Sequence, residues 1–352
     1  MDPSLTQFYR QYFQQVNDPC YPPTLTLMKP YAQEQIYRFM FDNGRILNLP
    51  PVTYQRRTLK AIIDRIQSII DDNNEEACRD IPQTKVIGKL MERMVNLSTV
   101  QQLSPVEAAQ QKSIVSYFQP TNDISAPVLI EESPWSLAAG SNVGFRTWEA
   151  SLRLAYYLSA EGSDFIRGRS VLELGAGAGL LSIICGRLLG AQQVLSTDGN
   201  PEVVVSIQRN IALNRPTPED YREEHVHARH LDWTELSSLE DTLSLSPQGK
   251  TKYDTIIGAD ITYNKDYFVP LVQTISALNK MFSDADIVIS GAVRNIDTYN
   301  AFVSESRACG FDVSEIPFDC PPFHRQKGFF HIIATPIRIV KLTKRAFTRE
   351  ST

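Results

Sequence analysis

Cysteine is scarce in this chain of 352 residues, with five in total and no Cys-x-x-Cys pair. An odd number of scattered cysteines argues against a disulfide framework and against a thiolate metal site. We therefore expect the protein to occupy a reducing compartment. The five residues are Cys20, Cys78, Cys185, Cys309 and Cys320.

Long apolar runs are also lacking. The amino-terminal segment carries Asp2, Gln7 and Arg10 where a signal peptide needs an unbroken apolar stretch. The most apolar stretch, residues 180–189, contains Arg187 and is too short to span a membrane. The sequence therefore predicts neither secretion nor membrane insertion. We expect a cytoplasmic protein, with the nucleus as the alternative.

Charge of one sign is not in large excess, because the formal net charge is -5 at pH 7. This balance gives the whole chain no general attraction for nucleic acid or for an anionic membrane surface. A basic cluster near the end is interpreted first as a solvated edge, with a docking patch as the alternative. It comprises Arg338, Lys341, Lys344, Arg345 and Arg349.

Helical periodicity dominates residues 1–115, where no strand alternation is visible. Clusters of Pro, Asp and Asn separate the periodic stretches. We expect a helical accessory domain with its linker over residues 1–118, because a stretch rich in Gln, Ser and Pro covers 98–125. The expected packing stripes are Phe8, Tyr12 and Val16; Ile36, Phe39 and Met40; Leu59, Ile62, Ile63, Ile66, Ile69 and Ile70; and Leu90, Met91, Met94 and Val95.

Strands alternate with helices over residues 119–345, ahead of a short tail at 346–352. By the layer rules this alternation predicts an α/β sheet with right-handed crossovers. A polar, Ser-rich stretch at 239–251 is expected to be a surface loop. The expected strands are 128–131 at an edge, 171–174, 194–198, 226–231, 253–259, 287–290, and 329–335 with 338–342 nearby.

A glycine-rich turn carries the most specific signal. The buried-strand pattern of 171–174 runs into Gly175, Gly177 and Gly179, and a helix pattern follows directly. Without side chains in the way, the backbone and the helix amino end can approach a ligand closely. Asp198 ends the next strand, where a carboxylate can accept hydrogen bonds from a ribose diol. This order of elements predicts a site for an adenosine cofactor.

The spacing of the glycines distinguishes between adenosine cofactors. A dinucleotide site needs Gly-x-Gly-x-x-Gly, whereas the third glycine here comes one residue early. With Glu173 inside the strand, the sequence resembles the Glu-Leu-Gly-x-Gly-x-Gly motif of the class I S-adenosylmethionine-dependent methyltransferases. This resemblance implies S-adenosyl-L-methionine as the cofactor.

Two further strand ends carry an acid and an aromatic residue. Asp232 can accept from an adenine amine, and Trp233 can cover a face of the ring. Asp260 and Tyr263 end the next strand pattern, and the crevice of an open α/β sheet lies outside the carboxyl ends of its strands. We therefore expect this second pair beside the methyl group. The alternatives are a surface Asp with a half-buried Trp, and a helix-capping Asp with a packing Tyr.

A glycine bend precedes the helix pattern at 148–158. Gly144 permits the bend and Thr147 can cap the helix, so that Trp148 stands at its start, where an indole can overhang a cofactor. Taken alone, Trp148 could equally belong to the core.

Together these residues resemble the seven-strand lysine methyltransferases often called family 16. The resemblance extends over residues 128–335, and the helical amino-terminal domain looks like the branch that methylates a lysine of translation elongation factor 2. Residues 141–144 depart from the Thr-Gly or Gly-Gly pair that relatives often have. The matching parts are Gly144, Trp148 and Ala150 of a Gly-x-x-x-Trp-x-Ala entry helix, the Glu-Leu-Gly-Ala-Gly core, Asp198, Asp232 with Trp233, and the Asp-x-x-Tyr sequence 260–263.

The resemblance implies a seven-stranded, Rossmann-like class I methyltransferase sheet and a protein substrate. We expect a monomer that binds neither nucleic acid nor membrane. The family's acceptor lysine lies at the positions of Asp260 and Tyr263. Together with the residues argued above, the resemblance gives the expected cofactor contacts as Trp148, Glu173, Gly175, Ala176, Gly177, Gly179, Asp198, Asp232, Trp233 and Ala259.

Methyl transfer makes few demands on residue type. A sulfonium already activates its methyl group, so the protein mainly aligns a neutral amine and excludes water. Free lysine titrates at about pH 10.4, so its proton must leave before attack. We expect Asp260 to hold and orient the incoming ammonium, and Tyr263 to supply a ring face and a hydroxyl. Water is the alternative acceptor of the proton.

Three histidines close in sequence, His225, His227 and His230, raise the alternative of a metal site. His230 lies on the opposite strand face and no cysteine joins the group, so structural roles are favoured and no metal is expected.

Two other functions stay open at this point. One is an enzyme of the same family with another protein or a small molecule as acceptor. The other is a non-catalytic module in which the bound cofactor supports an interaction surface. The presence of both Asp260 and Tyr263 favours catalysis.

Overall fold

Two compact units divide the chain. The first comprises Met1–Phe118 with Glu132–Leu137, and the second comprises Gln119–Glu131 with Ala138–Thr352. Residues 122–125, 141–143 and the tail, all named above, lie outside the described residues. The computed structural model describes residues 3–71, 86–101, 103–104, 107, 111–121, 126–133, 144–215, 225–244, 251–332 and 334–345.

Helices build the first unit, because apolar residues at helical spacing give each helix one face to bury. Phe8, Tyr12, Leu59 and Ile62 lie fully buried in its core. Its elements are α1 (Pro3–Phe13), α2 (Thr24–Leu27), α3 (Pro30–Ile36) continued by a π-helix (Tyr37–Phe41), α4 (Val52–Asp71), α5 (Gly88–Thr99) and strand β1 (Ser113–Tyr117).

Two expectations for this unit are wrong. β1 lies in the stretch where no strand was expected. In α5 the buried side chains are Leu90 and Leu97, whereas Met91 and Val95 are exposed. The cause is that Leu90 and Leu97, seven residues apart, occupy one narrow face that turns the intervening pair towards solvent.

The second unit alternates strands with helices, as the sequence predicts. Its elements are β2 (Val128–Glu132), α6 (Glu149–Ala160), β3 (Ser170–Leu174), α7 (Leu180–Arg187), β4 (Gln193–Asp198), α8 (Pro201–Leu213), β5 (Val226–His230), α9 (Leu239–Leu243), β6 (Thr255–Ala259), α10 (Phe268–Met281), β7 (Asp286–Ala292), α11 (Ile296–Ala308), β8 (Phe311–Glu315) and β9 (Ile337–Lys344).

A seven-stranded sheet organises this unit, with the strand order β5-β4-β3-β6-β7-β9-β8. The pairs β5-β4, β4-β3, β3-β6 and β6-β7 are parallel, and β9 pairs antiparallel with both β7 and β8. The chain order reverses on either side of β3, and ligands bind at such a switch point, outside the carboxyl ends of the strands. The predicted α/β, Rossmann-like sheet and the amino-terminal helices are confirmed.

The strand expected at 329–335 is wrong. Phe329 has a left-handed backbone with φ of 43°, which interrupts an extended chain. The Gln326 side chain accepts from the His331 N–H at 2.9 Å and donates to the His331 carbonyl at 3.0 Å. These are the backbone groups that a neighbouring strand would otherwise bind, so Phe329, Phe330 and His331 are buried in a loop. The last strands are β8 and β9, and β8 was not predicted.

The strand expected at 128–131 exists as β2 but lies outside the seven-stranded sheet. Asn214, the C-cap residue of α8, accepts from the Leu129 N–H at 2.9 Å and donates to its carbonyl at 2.6 Å. Asn210 on the same helix accepts from the Glu131 N–H at 2.9 Å. Side-chain amides thus bind backbone groups that a sheet neighbour would have bound.

The expected surface loop at 239–251 begins as the short helix α9, and residues 245–250 lie outside the described residues. Within the described parts of the chain, no helix is both long enough and apolar enough to cross a membrane.

Candidate functional site

The glycine turn between β3 and α7 requires its glycines. Gly175, Gly177 and Gly179 have φ of 61°, 54° and 82°, in the left-handed region that only glycine adopts without cost. A Cβ on Gly175 would lie 2.6 Å from Ile261, and one on Gly179 would lie 2.9 Å from Ile207. A Cβ on Gly177 would meet no atom closer than 3.4 Å. The outer glycines therefore permit packing, and the middle one leaves space beside the backbone.

Asp198 ties the end of β4 to this turn. Its Oδ2 accepts from the Gly177 N–H at 3.1 Å, and its Oδ1 accepts from the Asn200 N–H at 3.0 Å. Burial raises the pKa of Asp198, and the N–H donors of Asn200 and Gly177 oppose that rise. Each carboxylate oxygen keeps a lone pair that can accept from a ligand hydroxyl.

Glu173 lies buried behind the turn. The Ser182 hydroxyl of α7 donates to its carboxyl group. Burial raises the pKa of Glu173 to about 8, partly opposed by the hydrogen bond from Ser182. Ala176 continues the turn, donates its N–H to the Thr197 carbonyl at 2.9 Å and packs on α8. The structure therefore places Glu173 as a support of the turn.

Asp232 and Trp233 follow β5 at the same edge of the sheet. Oδ1 of Asp232 accepts from the N–H and the hydroxyl of Thr234, both at 2.8 Å, and these bonds lower the pKa of Asp232. Trp233 packs beside Gly175, where an added Cβ would lie 3.3 Å from its ring. Among the described residues, the buried indole N–H has no hydrogen-bond partner. The indole therefore lies next to the glycine turn with a donor unused.

Trp148 immediately precedes α6 and serves as its N-cap, without a side-chain cap bond. The expected cap by Thr147 is wrong, because the helix begins one residue later than that role requires. Two guanidinium groups lie over the indole, Arg146 at 4.7 Å and Arg294 at 5.5 Å from the ring centre. Glu149 pairs with both, at 3.4 Å and 3.9 Å respectively.

Asp260 follows β6 with a left-handed backbone, φ 55°. Its carboxylate accepts from both terminal nitrogens of Arg294, Nη1 at 3.2 Å and Nη2 at 2.9 Å. Oδ1 also accepts from the Ala292 N–H at 3.3 Å. The side chain of Asp260 is only 8% exposed, whereas that of Arg294 is 44% exposed. The acid expected to receive an ammonium is therefore already bound to a guanidinium.

Tyr263 lies beside this pair and is 52% exposed. Burial of the hydroxyl, followed by the nearby charges of Tyr267, Asp198 and Asp260, raises the pKa of Tyr263. Tyr263 is thus close to the acids at the ends of both β4 and β6. Ala259, the last residue of β6, is partly exposed at the same edge.

A cavity of about 290 Å³ borders the ion pair at Arg294. Trp148, Glu149, Arg294 and the exposed Ile332 are among the side chains that line it. The carboxyl edge of the sheet thus carries the glycine turn, three acids and several aromatic rings.

Comparison with known proteins shows what this chain is similar to. A family model described as lysine methyltransferase matches residues 135–305. The protein-lysine N-methyltransferase EFM3 of Chaetomium thermophilum is 32% identical, over 97% of this chain and 98% of that protein. EFM3 of Saccharomyces cerevisiae is 25% identical over 79% of each chain. The mouse protein-lysine N-methyltransferase EEF2KMT is 27% identical over 57% of this chain and 59% of its own.

The chain belongs to the lysine methyltransferase family. It is an S-adenosylmethionine-dependent protein-lysine N-methyltransferase, which confirms the predicted enzyme class and cofactor.

The described residues fit this cofactor on physical grounds. The cradle at Gly177 would be filled by a side chain, the carboxylate of Asp198 keeps acceptor capacity, and the indole N–H of Trp233 is buried without a partner. Such a combination suits a ligand with a ribose diol and an aromatic ring that can accept a hydrogen bond.

The sequence reasoning missed Arg294. It stands two residues beyond β7, at the same edge of the sheet as the predicted acids. The rule of strand ends, which led to Asp260, would also have led to Arg294. Among the described residues, no three His, Cys, Asp or Glu side chains are grouped so that they could hold a metal ion, and His230 Nε2 lies 3.0 Å from the Gly199 carbonyl.

Proposed function

We propose that this methyltransferase transfers a methyl group from S-adenosylmethionine to a lysine side chain of translation elongation factor 2. The observation that carries the proposal is the extent of the likeness to EFM3 of Chaetomium thermophilum, which includes the helical amino-terminal unit. Relatives named EEF2KMT support the same target. The resemblance of the motifs to the elongation factor branch points in the same direction.

The cofactor half of the proposed site comprises the turn at Gly175–Gly179 with its neighbours. Asp198 accepts from the ribose hydroxyls, and Asp232 with Trp233 receives the adenine. Trp148 covers the crevice at the start of α6. When bound, S-adenosylmethionine supplies a methyl group that its sulfonium has already activated.

The acceptor half consists of Asp260 and Tyr263. Asp260 is anchored by Arg294 and by the Ala292 N–H, so its position is fixed before a substrate arrives. Tyr263 offers an aromatic face and a hydroxyl to a lysine side chain. Both groups orient the amine and exclude water, which is the main demand of the reaction.

Methyl transfer from labelled S-adenosylmethionine to purified elongation factor 2 tests the proposal, with mass spectrometry to locate the modified lysine. We expect Asp260→Ala to reduce the rate about 100-fold with nearly unchanged cofactor affinity, because it removes a contact made in the transition state. Tyr263→Phe keeps the ring and is expected to be milder.

Two variants of the cofactor half serve as controls. Gly177→Arg should abolish cofactor binding in calorimetry, and Asp198→Ala should weaken it about 100-fold or more, because hydrogen bonds to a charged group are lost. If a lysate protein other than elongation factor 2 is labelled, the target proposed here is wrong and that protein is the acceptor. Cofactor binding without any labelled product would favour the non-catalytic module.

A further inference from the structure

The Asp260–Arg294 pair has the geometry of a permanent contact. Two nitrogens of one planar guanidinium meet one carboxylate, at 3.2 Å and 2.9 Å. Such two-point pairs are stronger and more directional than a single ammonium contact. Trp148 at 5.5 Å and Glu149 at 3.9 Å hold the same guanidinium from other sides. Arg294 is therefore fixed by three neighbours.

An unpaired carboxylate at this position would oppose the reaction. A nearby opposite charge favours the charged form of a titratable group, so a bare Asp260 would keep an acceptor lysine protonated. The ammonium form has no lone pair and cannot accept the methyl group. In the transfer itself the amine lone pair forms the N–C bond while the S–C bond breaks, and the proton has already left to water.

Other titratable groups lie around the acceptor mouth, and one of the acids among them is paired with an arginine. Glu149 on α6 pairs with Arg146 from the segment before it. Among the described residues, the phenol of Tyr267 and the carboxyl groups of Asp198 and Asp260 lie close enough to raise the pKa of Tyr263. With Arg294 in place, Asp260 adds no net charge to this environment.

We propose that Arg294 is a positioning residue for methyl transfer, which holds Asp260 in a charge-neutral pair so that the acceptor lysine is received as an uncharged amine. Arg294 acts through Asp260. The inference rests on the proposed function in one respect, namely that the acceptor lysine binds beside Asp260. It changes the expected role of Asp260 from a counter-ion for ammonium to one half of a neutral hydrogen-bonding pair.

The pH profile of kcat/KM for methylation of elongation factor 2 tests this role. Loss of the guanidinium in Arg294→Gln should leave Asp260 uncompensated and move the profile upward by about one pH unit or more. The rate at pH 7.5 then falls about tenfold and recovers at higher pH. Arg294→Lys, which keeps the charge, should retain the parental midpoint with a lower rate.

A double variant separates charge from structure. Arg294→Gln with Asp260→Asn is again neutral, so its midpoint should return to the parental value even if its rate stays low. Arg338→Gln is the matched control, because Arg338 pairs with Glu315 at 3.8 Å and contributes nothing to Asp260. Calorimetry with S-adenosylhomocysteine verifies that each variant is folded.

The outcomes separate the two proposals. An Arg294→Gln midpoint equal to the parental one, or a double variant that stays shifted, overturns the role of Arg294. Failure of the parent to methylate elongation factor 2 overturns the target alone. In that case the pH profiles of the parent and the variants are measured with the protein that becomes labelled in a lysate. The same shifts of the midpoint are expected with that acceptor.

Discussion

At the scale of single residues, Asp260 combines an unfavourable backbone conformation with favourable side-chain contacts. A left-handed φ costs a non-glycine residue about 1 kcal/mol or more. The side chain offsets this cost, because the same conformation directs the carboxylate to Arg294 and to the Ala292 N–H. The strained residue thus lies where we place the acceptor amine.

Glu173 gives a second residue-scale prediction. Its pKa is about 8 in the folded protein, against an ordinary value of 4.5. Between these values the unfolded chain releases a proton that the folded protein retains, so stability is full below pH 4.5 and falls as the pH rises to 8. Glu173→Gln removes the ionisable group and keeps an acceptor for Ser182. We expect a flatter dependence of the melting temperature on pH over this window.

The steepest slope from one such group is about 1.4 kcal/mol per pH unit. Glu202→Gln, which removes an exposed carboxylate on α8, is the matched control and should leave the slope unchanged. A Glu173→Gln variant as sensitive to pH as its parent would show that another group causes the dependence.

The sequence predicted the residues at strand ends best. Gly175, Asp198 and Asp260 come together because parallel strands present their carboxyl ends at one edge. The pairing of Asp260 with Arg294 was not predicted, since the two residues are far apart in sequence and only the β6–β7 register brings them together. The support role of Glu173 likewise depends on Ser182 of α7.

At the scale of elements, α8 holds β2 through two asparagines. Asn214 binds both backbone groups of Leu129, and Asn210 binds the Glu131 N–H and also donates to the Ala178 carbonyl at 2.9 Å. Asn214→Ala leaves the backbone groups of Leu129 without these partners. We expect amide exchange at Leu129 to accelerate about tenfold to 100-fold.

Hydrogen exchange followed by mass spectrometry checks this expectation. Gln208→Ala changes an exposed residue of the same helix and should leave exchange in β2 unchanged. If Leu129 exchanges at the parental rate in Asn214→Ala, α8 does not hold this strand.

Helices and strands could be predicted where a single helical or strand periodicity of apolar residues continued through the whole element. The strands from β3 to β7 follow the sequence patterns, whereas residues 329–335 have a strand-like composition and form a loop in their described part. The difference arises from Gln326, whose side chain binds the backbone of His331. The contact spans only five residues, but the alternation of apolar and polar residues gives no sign of a side chain that binds the backbone.

At the scale of the whole molecule, the cofactor should change the stability of the second unit. A ligand that binds only the folded state, at about 100 times its Kd, stabilises it by about 2.7 kcal/mol. We expect S-adenosylhomocysteine to raise the melting temperature in differential scanning calorimetry and NAD to leave it unchanged. The third glycine comes one residue too early for a dinucleotide site, and the Asp232–Trp233 pair suits an adenine.

The reverse result, with stabilisation by NAD alone, would contradict the cofactor site described for the glycine turn. Gly177→Arg provides the control within the same experiment. Its melting temperature should not respond to either compound.

The outer strands β5 and β8 have consequences for how copies of this enzyme behave at high concentration. Both are five residues long and carry exposed polar or charged side chains, Arg229 and His230 on one edge and Asp312 and Glu315 on the other. Arg345 pairs with Asp312 at 2.8 Å and Arg338 with Glu315 at 3.8 Å. An incoming strand from a second molecule would have to displace or bury these charges. The sheet is therefore protected at both edges against intermolecular strand addition, the first step towards fibrous aggregates.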